Sequence, residues 1–172
     1  MPQHVAFQPR GTDVAVILDL MIHDLDLVLE LVRAEVADVR ASGVPLLTPH
    51  VDIANARIEF ANGAIANVTA SRVSTTAQRR FRVFQPNQYV SIDFGNGEVR
   101  RVTKHGEWRE GATPLREETW NLEKGDALLA ETKAFVDAIV NDTPPVVSGT
   151  DALASLELAE MINADIARRR SE

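Results

Sequence analysis

The hydrophobic period of this chain changes twice along its length, and those changes limit the fold more than any single residue does. Over residues 13 to about 33, Leu18, Met21, Ile22, Leu25, Val28, Leu29 and Val32 recur at helical spacing. Between Glu35 and Leu122, short mixed segments alternate with turn residues, the pattern of an antiparallel sheet. Helical spacing returns from about 126 to 140, with Leu128, Thr132, Phe135, Val136 and Ile139 on one side. It resumes from Ser148, with Leu153, Leu156, Ala159, Ile162 and Ile166. Strands in a block, with helices segregated to either side, predict an α+β fold: an open, mostly antiparallel β-sheet with helices packed on one face. At 172 residues the expectation is one domain over 1–172.

Local chemistry refines this outline. Strands are expected at 36–41, 56–60, 64–71, 78–85, 89–94, 98–104 and 119–122. Asn62-Gly63 predicts a two-residue type I′ hairpin, which would place Phe60 opposite Ile65. Ala66, Val68 and Ala70 then share one face, and Ile65, Asn67 and Thr69 the other. Ser148-Gly149-Thr150-Asp151 resembles a capping box at the start of the last helix.

Composition removes several function classes. The chain has no cysteine, which excludes thiol nucleophiles, thiolate zinc sites and disulfide frameworks. A net charge of -7 argues against a nucleic-acid duplex or an anionic membrane as partner, and Arg79-Arg80-Phe81-Arg82 reads as the exposed face of a strand. No segment is apolar for long enough to span a bilayer, and the start of the chain lacks the pattern of a signal peptide, so a soluble, cytoplasmic protein is expected. The only Gly-x-Gly is Gly95-Asn96-Gly97, with Arg100 where a dinucleotide fingerprint needs its third glycine, and it lies between strands. No phosphate-binding loop and no nucleophile elbow is present in the sequence.

The first helix carries the pattern that points to chemistry. At about 100° per residue, Asp19, His23, Asp26 and Glu30 form one polar stripe. Leu20, Leu27 and Leu31 flank it on one edge, and Ile22 and Leu29 on the other, so polar groups there need partners or a water-filled cleft. Asp19 and His23 stand one turn apart, where a carboxylate can fix the tautomer and orientation of an imidazole. A histidine so held can take a proton from a substrate hydroxyl. Two other readings fit the same residues: a histidine satisfied inside the core, and a metal site built on Asp-x3-His-x2-Asp. His50 and His105 lie in loops and add no cluster to the second.

The segment Leu18-Asp19-Leu20-Met21-Ile22-His23-Asp24-Leu25-Asp26-Leu27 resembles the Asp-x3-His-x2-Asp segment opening the C-terminal domain of the Gfo/Idh/MocA oxidoreductases, the glucose-fructose oxidoreductase and inositol dehydrogenase family. Arg57-Ile58-Glu59-Phe60-Ala61-Asn62-Gly63-Ala64 resembles that family's central hairpin. Residues 132–139 and 145–152 resemble its closing helices. The resemblance implies an open sheet that lines a substrate site and forms a subunit interface, preceded in the full protein by a Rossmann domain holding NAD or NADP. It also implies roles for two residues: His23 as proton acceptor when a sugar or polyol hydroxyl is oxidised, and Asp19 as the residue that orients it.

This chain departs from the family pattern by lacking the Rossmann domain and the Glu-Lys-Pro segment whose lysine completes the catalytic group; Glu123-Lys124-Gly125 is in the wrong place for it. Met1-Pro2 stands just before the expected first strand. The chain alone is therefore expected to bind no nicotinamide cofactor and to be inactive, as the substrate-binding half of an NAD(P)-dependent oxidoreductase for a sugar, polyol or nucleotide-sugar hydroxyl. The other reading is a non-enzymatic α+β association module. Asp26, Arg10 and Arg72 are the candidate substrate contacts, the two arginines because a guanidinium matches a sugar acid or diphosphate bidentately. Three helices can cover only one sheet face, so a homodimer through the other is expected.

Overall fold

A computed structural model describes residues 2–4, 11–123 and 125–170 of the chain. After a short strand β1 (Pro2–His4), a π-helical turn (Ile17–Met21) runs directly into helix α1 (Ile22–Val32). Seven strands follow: β2 (Val36–Val44), β3 (Ile53–Phe60), β4 (Ile65–Ser71), β5 (Gln78–Gln85), β6 (Gln88–Asp93), β7 (Glu98–Lys104) and β8 (Leu115–Asn121). Helices α2 (Ala127–Val140) and α3 (Gly149–Arg170) close the chain. The strand order is β2-β3-β4-β1-β5-β6-β7-β8, and every pair is antiparallel except β1 with β4. The expected α+β class holds.

The core lies between β2–β4 and the two helices α1 and α3. Alanines at 41, 54, 56 and 70 carpet the strands, so the larger Ile17, Met21, Leu25, Leu158 and Ile162 can approach the sheet closely and fill the layer. On β4, Val68 and Ala70 face this core and Ile65 faces out, as the alternation predicts. The polar side of β3 and β4 is satisfied locally: Thr69 Oγ1 donates to Asn55 Oδ1 at 2.7 Å, and Arg57 pairs with Glu59.

Three local expectations are corrected. The Asn62-Gly63 hairpin is not a two-residue type I′ turn. Only Gly63 has positive φ (+83°), Phe60 N–H donates to Ala64 O, and Glu59 rather than Phe60 stands opposite Ile65. This is a three-residue loop ending in a left-handed glycine, and the one-residue change of register puts Phe60 on the buried face with Val68 and Ala70 instead of on the face of Ile65. The buried side of α3 carries Ser155, Leu158, Ala159, Ile162, Asp165 and Ile166, whereas Leu153 and Leu156 are exposed. On α2 the expected core face is not buried at all: Leu128, Phe135, Val136 and Ile139 lie open and only Ala138 is covered. Helical period fixes which residues share a face, not which surface meets it. The caps agree with expectation. Asp126 accepts from Leu129 N, and Ser148 and Asp151 exchange hydrogen bonds through Ser148 N, Ser148 Oγ and Asp151 N.

Candidate functional site

The first helical segment places the site because its start is irregular. The Ile22 N–H reaches back to Ile17 O, an i to i+5 bond that widens the turn holding Asp19. Among the described residues neither Asp19 nor His23 has the other as a hydrogen-bond partner. Asp19 turns toward the end of β4, where its Oδ2 lies 3.6 Å from Nη2 of Arg72, and it keeps about a third of its side chain in solvent. His23, on the first turn of α1, is exposed rather than sealed in hydrocarbon.

The carboxylate of Asp19 also sits against Gly11. A Cβ at Gly11, whose φ is +73°, would come within 2.8 Å of Asp19 Oδ2. Glycine is the residue that meets both demands, a left-handed backbone and room for the carboxylate.

The remaining candidates fall out differently. Asp26, expected as a substrate contact, accepts a hydrogen bond from the buried hydroxyl of Ser155 at 3.1 Å and ties α1 to α3. Arg72, expected as an anion contact, is buried. Its Nη1 donates to Gly11 O at 2.6 Å and its Nη2 to Val14 O at 2.8 Å, while Nε stands 3.8 Å from Asp52. A guanidinium bound this way braces the chain instead of offering its fork to a ligand. Arg10 lies outside the described residues. Glu30 pairs with Arg33 at the end of α1.

Asp52 and Asp24 show opposite electrostatics. Burial would raise the Asp52 carboxyl, but the N–H groups of Thr48, Leu46 and Leu47 and the Thr48 hydroxyl outweigh it and hold its pKa down at about 2. Asp24, outside the polar stripe of Asp19, His23, Asp26 and Glu30, shares the buried face of the first helical segment with Met21, Leu25 and Val28. It is fully buried, neither oxygen has a hydrogen-bond partner, and burial pushes its pKa up to about 6 against the opposing charge of Arg79.

A separate cavity of about 890 Å³ opens on the helix-free face of β5–β8, among Phe84, Tyr89, Val102, Trp108 and Leu115. Phe84 and Tyr89 stack there with ring centroids 5.0 Å apart. Its charged members are already paired, Arg100 with Glu117 and Lys104 with Glu107, so it holds no free proton-transfer group comparable with His23. In the Arg79-to-Arg82 run, Arg79 lies over the Phe94 ring and Arg80 pairs with Asp93.

No group of three or more His, Asp or Glu side chains that could hold a metal ion occurs among the described residues. Gly95-Asn96-Gly97 is a strand-to-strand turn closed by Gly97 N–H to Asp93 O, with no helix N-terminus to receive a pyrophosphate. The described residues place a partly open carboxylate, Asp19, and an exposed imidazole, His23, on one helical segment.

The architecture thus defines an α+β domain that presents a carboxylate and an imidazole from the helix roofing its sheet. Residues 2–87 match the model of the GFO/IDH/MocA C-terminal domain, and the chain belongs to the Gfo/Idh/MocA family. It is 43% identical over 143 residues to the UDP-N-acetylglucosamine 3-dehydrogenase of Acidithiobacillus ferrooxidans, a match covering 83% of this chain and 46% of that protein. It is 28% identical over 164 residues to the myo-inositol 2-dehydrogenase of Thermotoga maritima, covering 91% and 48%. Among solved structures, UDP-N-acetylglucosamine 3-dehydrogenase GnnA from A. ferrooxidans superposes with a TM-score of 0.88 at 38% identity, over 96% of this chain and 53% of that one. Levoglucosan dehydrogenase in complex with NADH and levoglucosan gives 0.80 at 16% identity, over 98% and 56%, a likeness of fold. The chain spans about half the length of the curated relatives it matches.

Proposed function

We propose that this chain is the substrate-binding half of an NAD(P)-dependent oxidoreductase that acts on a sugar, polyol or nucleotide-sugar hydroxyl, and that it is inactive alone. The observation that carries this reading is the exposed His23 imidazole on the same helical segment as the partly open Asp19 carboxylate, in a family whose matched members include dehydrogenases of UDP-N-acetylglucosamine and myo-inositol. His23 takes the hydroxyl proton as the alcohol becomes a carbonyl, and Asp19 is the residue that orients the proton-transfer site. The nicotinamide cofactor, NAD or NADP, supplies the hydride acceptor and is held by a Rossmann domain outside this chain.

The exposed apolar side of α2 supports a covering partner. Leu128, Phe135, Ile139 and Val140 form a surface that a monomeric domain seldom leaves open. We assign that surface to the Rossmann domain, and the helix-free face of the sheet to a second copy of the chain. No helix among the described residues is long and apolar enough to cross a membrane. The test joins this domain to a dinucleotide-binding half and measures turnover. His23→Ala should lower kcat by about two orders of magnitude or more with the fold intact. Unchanged turnover would favour a non-enzymatic association module.

A further inference from the structure

We propose that Arg72 is a positioning residue: anchored on backbone carbonyls, its guanidinium holds the Asp19 carboxylate away from the His23 imidazole and so sets the gap between the two. This rests on the reading of Asp19 and His23 as the substrate-side pair.

The anchoring is visible on every side of Arg72. Its backbone N–H donates to Asp52 O at 3.1 Å, immediately after β4 ends. Its side chain is buried between two carboxylates, Asp19 3.6 Å from Nη2 and Asp52 3.8 Å from Nε. Asp52 is already satisfied by three N–H groups of residues 46–48 and the Thr48 hydroxyl, and it makes no hydrogen bond to Arg72 Nε, which stays without a partner. Nη1 and Nη2 are committed to Gly11 O and Val14 O. The guanidinium is therefore a fixed positive charge in a low-dielectric setting. Asp19 is the carboxylate beside it with no other hydrogen-bonding commitment of its side chain among the described residues.

The alternative rotamer for Asp19 is the imidazole one turn on. A carboxylate bonded to His23 would tie up the nitrogen or the oxygen that a substrate hydroxyl needs. Held toward Arg72, with Gly11 lacking the Cβ that would push it away, the carboxylate makes no hydrogen bond to the His23 ring. A lysine cannot reproduce this. Its single ammonium cannot bond both carbonyls in the planar fork and still face Asp19.

Two measurements test the proposal. In the 172-residue chain, imidazole ¹⁵N shifts of His23 are recorded for the parent, Arg72→Lys, Arg72→Met and the Arg72→Met/Asp19→Asn pair. The expected result is a move of the His23 shifts toward those of a ring donating to a carboxylate in both single variants, and its loss in the pair. Unchanged His23 shifts in folded single variants overturn the proposal. Failure of both single variants to fold also overturns it, because Arg72 would then serve the fold alone. In the joined enzyme, Arg72→Lys should lower kcat by about tenfold or more while KM stays within about threefold. If Arg72→Lys turns over like the parent while His23→Ala does not, the Arg72 role fails and the site stands. If His23→Ala also turns over normally, the reading of the site fails instead.

Discussion

The carboxylate of Asp165, on α3, accepts the backbone N–H of Ala41, on β2, at 2.7 Å. Ala41 belongs to a strand at the edge of the sheet, so this bond satisfies a ladder group that would otherwise meet no strand, and it pins α3 over the core. The Ala41 N–H, then Arg169, with Arg168 adding to them against the cost of burial, hold the Asp165 carboxyl well below the usual carboxylate range. Asp165→Ala should cost about 2 kcal/mol in urea unfolding, the size of a charged hydrogen bond to a buried group. Asp165→Asn keeps an acceptor for Ala41 and should recover most of it, because the two arginines are half exposed and contribute little. An Asp165→Ala midpoint equal to the parent would remove this contact from the account.

Asp24 predicts a pH dependence of the opposite sign to that of a paired carboxylate. Its folded pKa lies at about 6 and its unfolded value near the ordinary 3.8, so between those values the folded state binds the extra proton. Stability from this group is greatest below about pH 4 and falls as pH rises to about 6, by about 3 kcal/mol at most. Asp24→Asn should flatten that part of the profile and raise the melting temperature above pH 6, with little change near pH 4. A parallel pair of profiles for parent and variant would show that burial of Asp24 has no energetic consequence.

Gly11→Ala should destabilise the chain by about 1 to 3 kcal/mol, from left-handed backbone strain and from the approach to Asp19. The two contributions separate in a double-mutant cycle. In an Asp19→Ala background the steric part disappears, and the penalty should shrink. Equal penalties in both backgrounds would mean that the carboxylate moves aside at no cost.

On α2, Phe135→Ser and Ile139→Ser should change the unfolding free energy of this chain by less than about 0.5 kcal/mol each, since both side chains lie mostly in solvent. The same substitutions in the joined enzyme should loosen the docking of the two halves, read as earlier protease cleavage between them. A loss of stability in the 172-residue chain itself would mean that α2 packs where the structure leaves it open.

The open face of the sheet combines ion pairs such as Arg80 with Asp93 and Arg100 with Glu117 with exposed Ile65, Phe84 and Leu115. A dimer through this face should therefore weaken with both salt and Phe84→Ser. Light scattering at about micromolar concentration reads the outcome, and a monomer under all conditions would count against that interface.

The sequence by itself determined the order of helix, strand block and helices, the inward face of β4, the Ser148 cap and the Asp-x3-His-x2-Asp segment. Each depends on spacing within a few residues of chain, where side-chain period and capping chemistry act locally. Tertiary structure decided the rest. It turned Asp26 to Ser155, buried Arg72 among carbonyls of the loop before the π-helical turn, and set Asp24 without a hydrogen-bond partner in the core. It also left the apolar side of α2 uncovered. Those outcomes depend on which groups from distant parts of the chain come within a few ångströms of each other. Hydrogen bonding, desolvation and charge respond to that proximity, and a pattern read along one element does not contain it.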